Sequence, residues 1–174
     1  MDVNHWALKA FNEGAIFVAL DLETTGLDPK LDRIVEIGAV KFDKRGIIAR
    51  FSTLINPGIP MPPGAEKVNH ISDEMLRSKP ALDEVLPDFL CFVQNAVLAA
   101  HNAPFDFSFL DEKLKKRLPN PILDTLVLSR DCFPGLKSYS LQNIAANFNI
   151  SAFDAHRAED DARLCMEIFL RCAG

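Results

Sequence analysis

Apolar runs and their periods divide the chain into short buried strands and amphipathic helices. Ile16-Phe17-Val18-Ala19-Leu20 is a continuous run of β-branched, aromatic and aliphatic residues, closed soon after by Thr24-Thr25-Gly26, and reads as a buried strand. Ile34-Val35-Glu36-Ile37-Gly38-Ala39-Val40-Lys41-Phe42, a turn at Asp43-Lys44-Arg45-Gly46 and a third apolar stretch over 47–55 predict an antiparallel meander. Val97-Leu98-Ala99 and Ile122-Leu123 supply a fourth and a short fifth strand. Helical spacing predicts a helix over 4–13, opened by Asn4, closed by Gly14 and carrying Trp6, Ala10 and Phe11 on one side. Pro57, Pro60, Pro62 and Pro63 predict a loop, after which Ser72-Asp73-Glu74 opens a short helix. Further helices are expected over 83–93, 105–118, 125–132, 141–148 and 159–172. Strands first and alternation afterwards give an α/β chain with a mixed sheet. No repeat or linker interrupts it, so residues 1–174 read as one domain, with 1–15 a helical extension and 16–172 the core.

Composition narrows the class without naming a chemistry. Forty-eight per cent hydrophobic and 25% charged residues are ordinary globular usage, and 174 residues suffice for one substantial core. No cationic segment followed by a long apolar stretch opens the chain and no run approaches membrane-spanning length, so a cytoplasmic protein is expected, without a membrane partner. Cys91, Cys132, Cys165 and Cys172 form no CxxC pair and read as buried reduced thiols rather than a zinc site. A net charge of -5 excludes a strongly basic nucleic-acid-coating protein. It does not exclude nucleic acid, because cations in an acidic cleft invert the field a phosphate feels.

Asp21 and Glu23 change the picture. They stand two apart at the end of the first strand, so both carboxylates aim at one face. Like charges crowded at a core edge need a cation or a shared proton. Asp106 follows the fourth strand, where parallel α/β sheets gather functional groups, yet it equally suits the opening turn of a helix. Glu159, Asp160 and Asp161 likewise suit a helix start; a histidine just ahead of them, His156, is what that reading does not predict.

Together these segments resemble the DnaQ-like 3′–5′ exonucleases, the DEDD branch with histidine in its third motif (DEDDh), and within it the epsilon-type domains serving bacterial DNA polymerase III. The resemblance rests on Leu20-Asp21-Leu22-Glu23-Thr24-Thr25-Gly26-Leu27, on His101-Asn102-Ala103-Pro104-Phe105-Asp106, and on His156 with Asp161 five positions on. Arg33-Ile34-Val35-Glu36-Ile37-Gly38-Ala39-Val40, Asn69-His70-Ile71, Leu123-Asp124-Thr125-Leu126 and Ser138-Tyr139-Ser140-Leu141 extend it from about 17 to 169. Each motif alone is weak, and three in order are specific. The resemblance implies a ribonuclease H-like fold, a central five-stranded mixed sheet flanked by helices.

It also implies a catalytic set of Asp21, Glu23, Asp106, His156 and Asp161, in which the four carboxylates hold two Mg2+ ions, replaceable by Mn2+, and Asp21 bridges them. His156 would be the general base, since an imidazole of ordinary pKa near 6.5 can take a proton from the attacking water. Thr24, Thr25, Gly26, Leu27, His101, Asn102 and Phe105 are expected at the substrate, although the threonines serve equally as turn residues and His101 as a structural histidine. Asp124 is assigned to helix capping, Glu159 and Asp160 to a solvated helix start, and His5 and His70 to surface or structure. Lys113, Lys115, Lys116 and Arg117 form a basic patch that would suit a phosphate chain or a solvated helix face. Three readings stay open: an exonuclease on single-stranded or frayed DNA 3′ ends, with a DNA polymerase as partner; an RNA-directed counterpart of the ribonuclease T and oligoribonuclease type; and an inactive nucleic-acid-binding domain.

Overall fold

A computed structural model describes residues 5–153 and 156–174. Its centre is a five-stranded sheet in the order β3-β2-β1-β4-β5. The strands are β1 (Phe17–Thr24), β2 (Ile34–Asp43), β3 (Gly46–Leu54), β4 (Val97–Ala100) and β5 (Ile122–Asp124). β1, β2 and β3 form the antiparallel meander, while β4 joins β1 in parallel and β5 joins β4 in parallel. The sheet is therefore mixed. β1 carries Asp21 and Glu23 as expected, its backbone pairing with β2 continuing through both to Thr24.

Helices cover both faces: α1 (His5–Asn12), α2 (Pro63–Asn69), α3 (Asp73–Leu76), α4 (Leu82–Val93), α5 (Ala103–Leu114), α6 (Thr125–Cys132), α7 (Leu141–Asn147) and α8 (Ala158–Ala173). The proline loop conceals α2: Pro63 is its first residue, where a missing N–H costs nothing. α5 starts two residues earlier than expected and stops short of 118, at Lys115, whose φ of 54° ends the helical path.

Alternation along β1 sorts its side chains to two cores. Val18, Leu20 and Leu22 pack with Phe89, Phe107, Phe109 and Leu110 from α4 and α5. Phe17 and Ala19 face the other way, onto Ala162, Cys165, Met166 and Phe169 of α8 and Phe11 of α1. Here Phe17 stacks on Phe169 with centroids 4.8 Å apart, and Phe11 meets both rings edge-on at 5.6 and 5.1 Å. Cys91 is exposed rather than buried, Cys165 is buried, and these thiols are free. Among the described residues, no helix is long and apolar enough to cross a membrane.

Candidate metal centre

The face of β1 that carries Phe17 and Ala19 also carries Asp21 and Glu23. Opposite it, α8 presents Phe169, Cys165 and Asp161 at intervals of four residues. Four residues of helix rise about 6 Å, close to the roughly 6.6 Å of two strand residues. Stacking of Phe169 on Phe17 thus sets a register that brings Asp161 to Asp21. Carboxylate oxygens of Asp21, Glu23 and Asp161 lie within 4.8 Å of one another.

Asp106 stands beside this triplet rather than within it. β4 ends before β1 does, leaving the Leu22 N–H without a strand partner, and Asp106 Oδ1 accepts it at 3.0 Å. Asp106 is buried, and its charge is the strongest electrostatic influence on Asp21.

Removal from water dominates the protonation of all four groups. Burial raises Asp21 well above the carboxylate range, and Asp106, Glu23, Asp161 and Glu36 add to the rise. Glu23 is pushed up to about 8 by burial and then by Asp161, Glu36 and Asp106, against a hydrogen bond from Asn69. Asp106 is pushed up to about 8 by burial despite the backbone N–H of Leu22. Asp161 is raised by burial, while Gln142 and His156 oppose the rise. Four hard oxygen donors that resist carrying charge together suit a divalent cation, which would compensate them and drive off their protons.

Neighbours orient these carboxylates. Gln142 Nε2 donates to Asp161 Oδ1 at 2.7 Å, and Asn69, at the end of α2, bonds Glu23 and the Thr24 carbonyl, the latter at 3.4 Å. Glu36, early in β2, takes an ion pair from Arg157. Glu36 is legible as a charge flanked by apolar residues early in its strand; Asn69 belongs to a motif of the family resemblance that carries no role in sequence, and nothing around Gln142 signals its task. His156 is exposed, in a left-handed conformation at φ 65°, and its backbone N–H bonds the Asp161 carboxylate.

The expected substrate residues divide. Thr24 Oγ1 donates to the Gly26 carbonyl at 2.6 Å, and Thr25 Oγ1 donates to Asp32 and accepts from Arg33 N, so both hydroxyls tie the turn. A Cβ at Gly26 would lie 2.4 Å from the Asp32 carboxylate, so a larger residue there would have to displace that side chain from the turn. Leu27 is 83% exposed. His101 is half-buried between Thr125 Oγ1 at 3.0 Å and the Tyr139 carbonyl at 2.8 Å, and burial lowers its pKa. Those bonds are structural. Asn102 is exposed at the start of α5, and Phe105 packs on Phe109 at the edge of the core.

Asp124 caps α6 through Leu126 N at 2.9 Å and also accepts from Asn102 N. Asp160 is not solvated: it pairs with nearly buried Arg163 at 2.7 Å, while Glu159 pairs with Arg50 across the sheet. His5 is exposed, and exposed His70 ends α2 in a left-handed conformation at φ 58°. In the basic patch, Lys113 donates to the carbonyls of Pro29 and Asp32, Lys115 pairs with Glu112 and Arg117 with Asp111. Most of that charge is spent within the protein.

Residues 18–169 match the model of the RNase T exonuclease family. The chain belongs to this exonuclease family. Its activity is that of a 3′–5′ exonuclease, its fold is ribonuclease H-like, and the family is divalent-metal dependent. Among its relatives, DNA polymerase III subunit epsilon of Treponema pallidum is 51% identical over 166 residues, covering 92% of this chain and 77% of the relative. The PolC-type DNA polymerase III of Thermotoga petrophila is 42% identical over 163 residues, covering 91% of this chain but 12% of that much longer protein. Exonuclease X, solved in complex with 5′ overhanging duplex DNA, superposes with a TM-score of 0.72 at 28% identity, covering 88% of this chain and 91% of its own.

Proposed function

We propose that this exonuclease removes nucleoside 5′-monophosphates from the 3′ end of single-stranded or frayed DNA, using two Mg2+ ions held by Asp21, Glu23, Asp106 and Asp161. The observation that carries the reading is the cluster of carboxylates from β1, α5 and α8, raised by burial and mutual repulsion. Bound there, the cations supply neutralisation of the scissile phosphate and activation of the attacking water. Manganese offers the same hard acceptor and substitutes.

His156 is the general base for that water. Its exposed position just before α8 supports the role, because the ring is open to an incoming phosphodiester. Leu27 stacks on the terminal base from the turn after β1, while Gly26 and the threonines hold that turn. Asn102 and Phe105 line the path of the strand. An open cleft of about 530 Å³ beside Asn102, lined also by Arg130, Lys137, Ser138 and Tyr139, supports a route for upstream phosphates. The names of the relatives support DNA as substrate and a DNA polymerase as partner; with them, the reading takes proofreading or repair in the cytoplasm as its setting.

The test is degradation of end-labelled DNA and RNA single strands of one sequence, in magnesium or chelator, beside Asp21→Ala. Ladders shortening from the 3′ end of DNA only with metal are expected. Unchanged cleavage by the variant would overturn the metal assignment, and degradation of RNA alone would overturn the substrate.

A further inference from the structure

Glu36 is a charge in an apolar strand. Its neighbours Ile34, Val35, Ile37 and Ala39 are fully buried, and its own side chain is 1% exposed. Such an anion is costly unless its oxygens are matched. The described partners come from the start of α8. Arg157 offers Nη2 to Oε1 at 2.7 Å and Nε to both oxygens at 3.2 Å, and Ala158 N donates to Oε2 at 3.1 Å.

Two further contacts seat this helix start on the sheet. A Cβ at Gly38, two residues along the same face of β2, would lie 2.1 Å from the backbone of Ala158 and Glu159. Glu159 pairs with Arg50 of β3 at 3.2 Å. Arg157 also accepts Asp161 N through its carbonyl at 3.0 Å, so one residue is tied to Glu36 by its side chain and to a proposed metal ligand by its backbone. His156 immediately precedes it, exposed and left-handed. Glu36 in turn lies opposite Glu23 in the β1–β2 register.

A buried ion pair is a poor device for stability alone, since apolar residues of similar volume serve as well. A planar guanidinium held at two nitrogens instead fixes direction. We propose that Glu36 and Arg157 are positioning residues, a fork that fixes the point from which His156 reaches the attacking water. The inference rests on His156 being the general base.

The experiment is steady-state kinetics on a single-stranded DNA oligonucleotide in Mg2+ for Arg157→Lys, Glu36→Gln, His156→Ala and the Arg157→Lys/His156→Ala double variant, with melting temperatures taken alongside. Arg157→Lys keeps the charge and loses the fork, so the fold is expected to survive it. Its kcat is expected to fall about 10-fold or more, as for other residues that orient a catalytic group, with KM for DNA and the Mg2+ midpoint unchanged. The double variant is expected to be no slower than His156→Ala, because a misplaced base and an absent base are equivalent. Additive losses, or a loss appearing in KM or metal midpoint, would overturn positioning in favour of a general structural role. Full activity in His156→Ala would remove the general base and the fork's task together. A slow His156→Ala beside a wild-type Arg157→Lys would remove the fork alone.

Discussion

The two ends of β1 share one face and one partner helix but differ in how completely the protein satisfies them. At the Phe17 end, rings from α1, β1, β2 and α8 fill the space against one another, every contact supplied from within. At the Asp21 end, three carboxylates meet within 4.8 Å and a fourth stands alongside. The first end supplies stability and the second uses some of it. Burial gives dispersion and hydrophobic gain to a phenylalanine, whereas for a carboxylate it removes hydration and leaves repulsion.

The strongest way to break this contrast is to exchange the roles of the ends. Asp21→Ala is expected to lower kcat about 10³-fold or more, the scale seen when a central group of a catalytic unit is removed. Asp21→Asn should do the same while raising the melting temperature of the metal-free protein near neutral pH, because an amide is buried without taking up a proton, whereas the crowded Asp21 carboxyl must take one up or carry a repelling charge. Phe169→Ala should do the reverse, costing about 3–5 kcal/mol of stability by denaturant titration. An Asp21→Asn protein less stable than wild type in chelator would contradict the account of the crowded end.

A pH series sharpens the comparison. Glu23 and Asp106 sit at about 8 when folded and metal-free, so between the ordinary carboxylate range and that value the folded chain holds protons the unfolded chain has released. Stability in chelator should therefore fall as pH rises through this window. A divalent cation held there must displace those protons, so the midpoint concentration of added Mg2+ should drop with rising pH and its thermal shift should be larger at pH about 8.5 than at about 5.5. Melting curves across pH check both, and a flat profile in chelator would contradict the raised carboxylates.

A smaller effect is expected from the groups that aim the ligands. Gln142→Ala and Asn69→Ala should each weaken Mg2+ about 10-fold, the low end for residues hydrogen-bonded to a metal ligand, with little change in melting temperature in chelator. Isothermal titration of Mg2+ would test this. Equal losses of metal affinity and stability would assign them to packing instead.

Much of the architecture was legible because its signals are local. The apolar runs placed the five strands, and Asp124 announced itself as a cap. α2 was hidden because prolines that start a helix and prolines that break a loop look alike in sequence. Asp160 departs from the expected solvated helix start because a carboxylate there reads as exposed from local sequence, whereas its burial with Arg163 depends on how α8 lies on the sheet.

The same division holds for the site. The sequence by itself determined that Asp21 and Glu23 share a strand face, since alternation is a property of the backbone, and the order of its motifs identified the family. Only the tertiary structure decided which residues orient those ligands and that most of the basic patch is internally spent. Gln142, Asn69 and Glu36 reach their partners across 19, 46 and 121 positions of chain, and only folding brings such distant residues into contact. What sets that arrangement is packing: Phe169 seated on Phe17 fixes where α8 lies along β1, and with it where Asp161 meets Asp21.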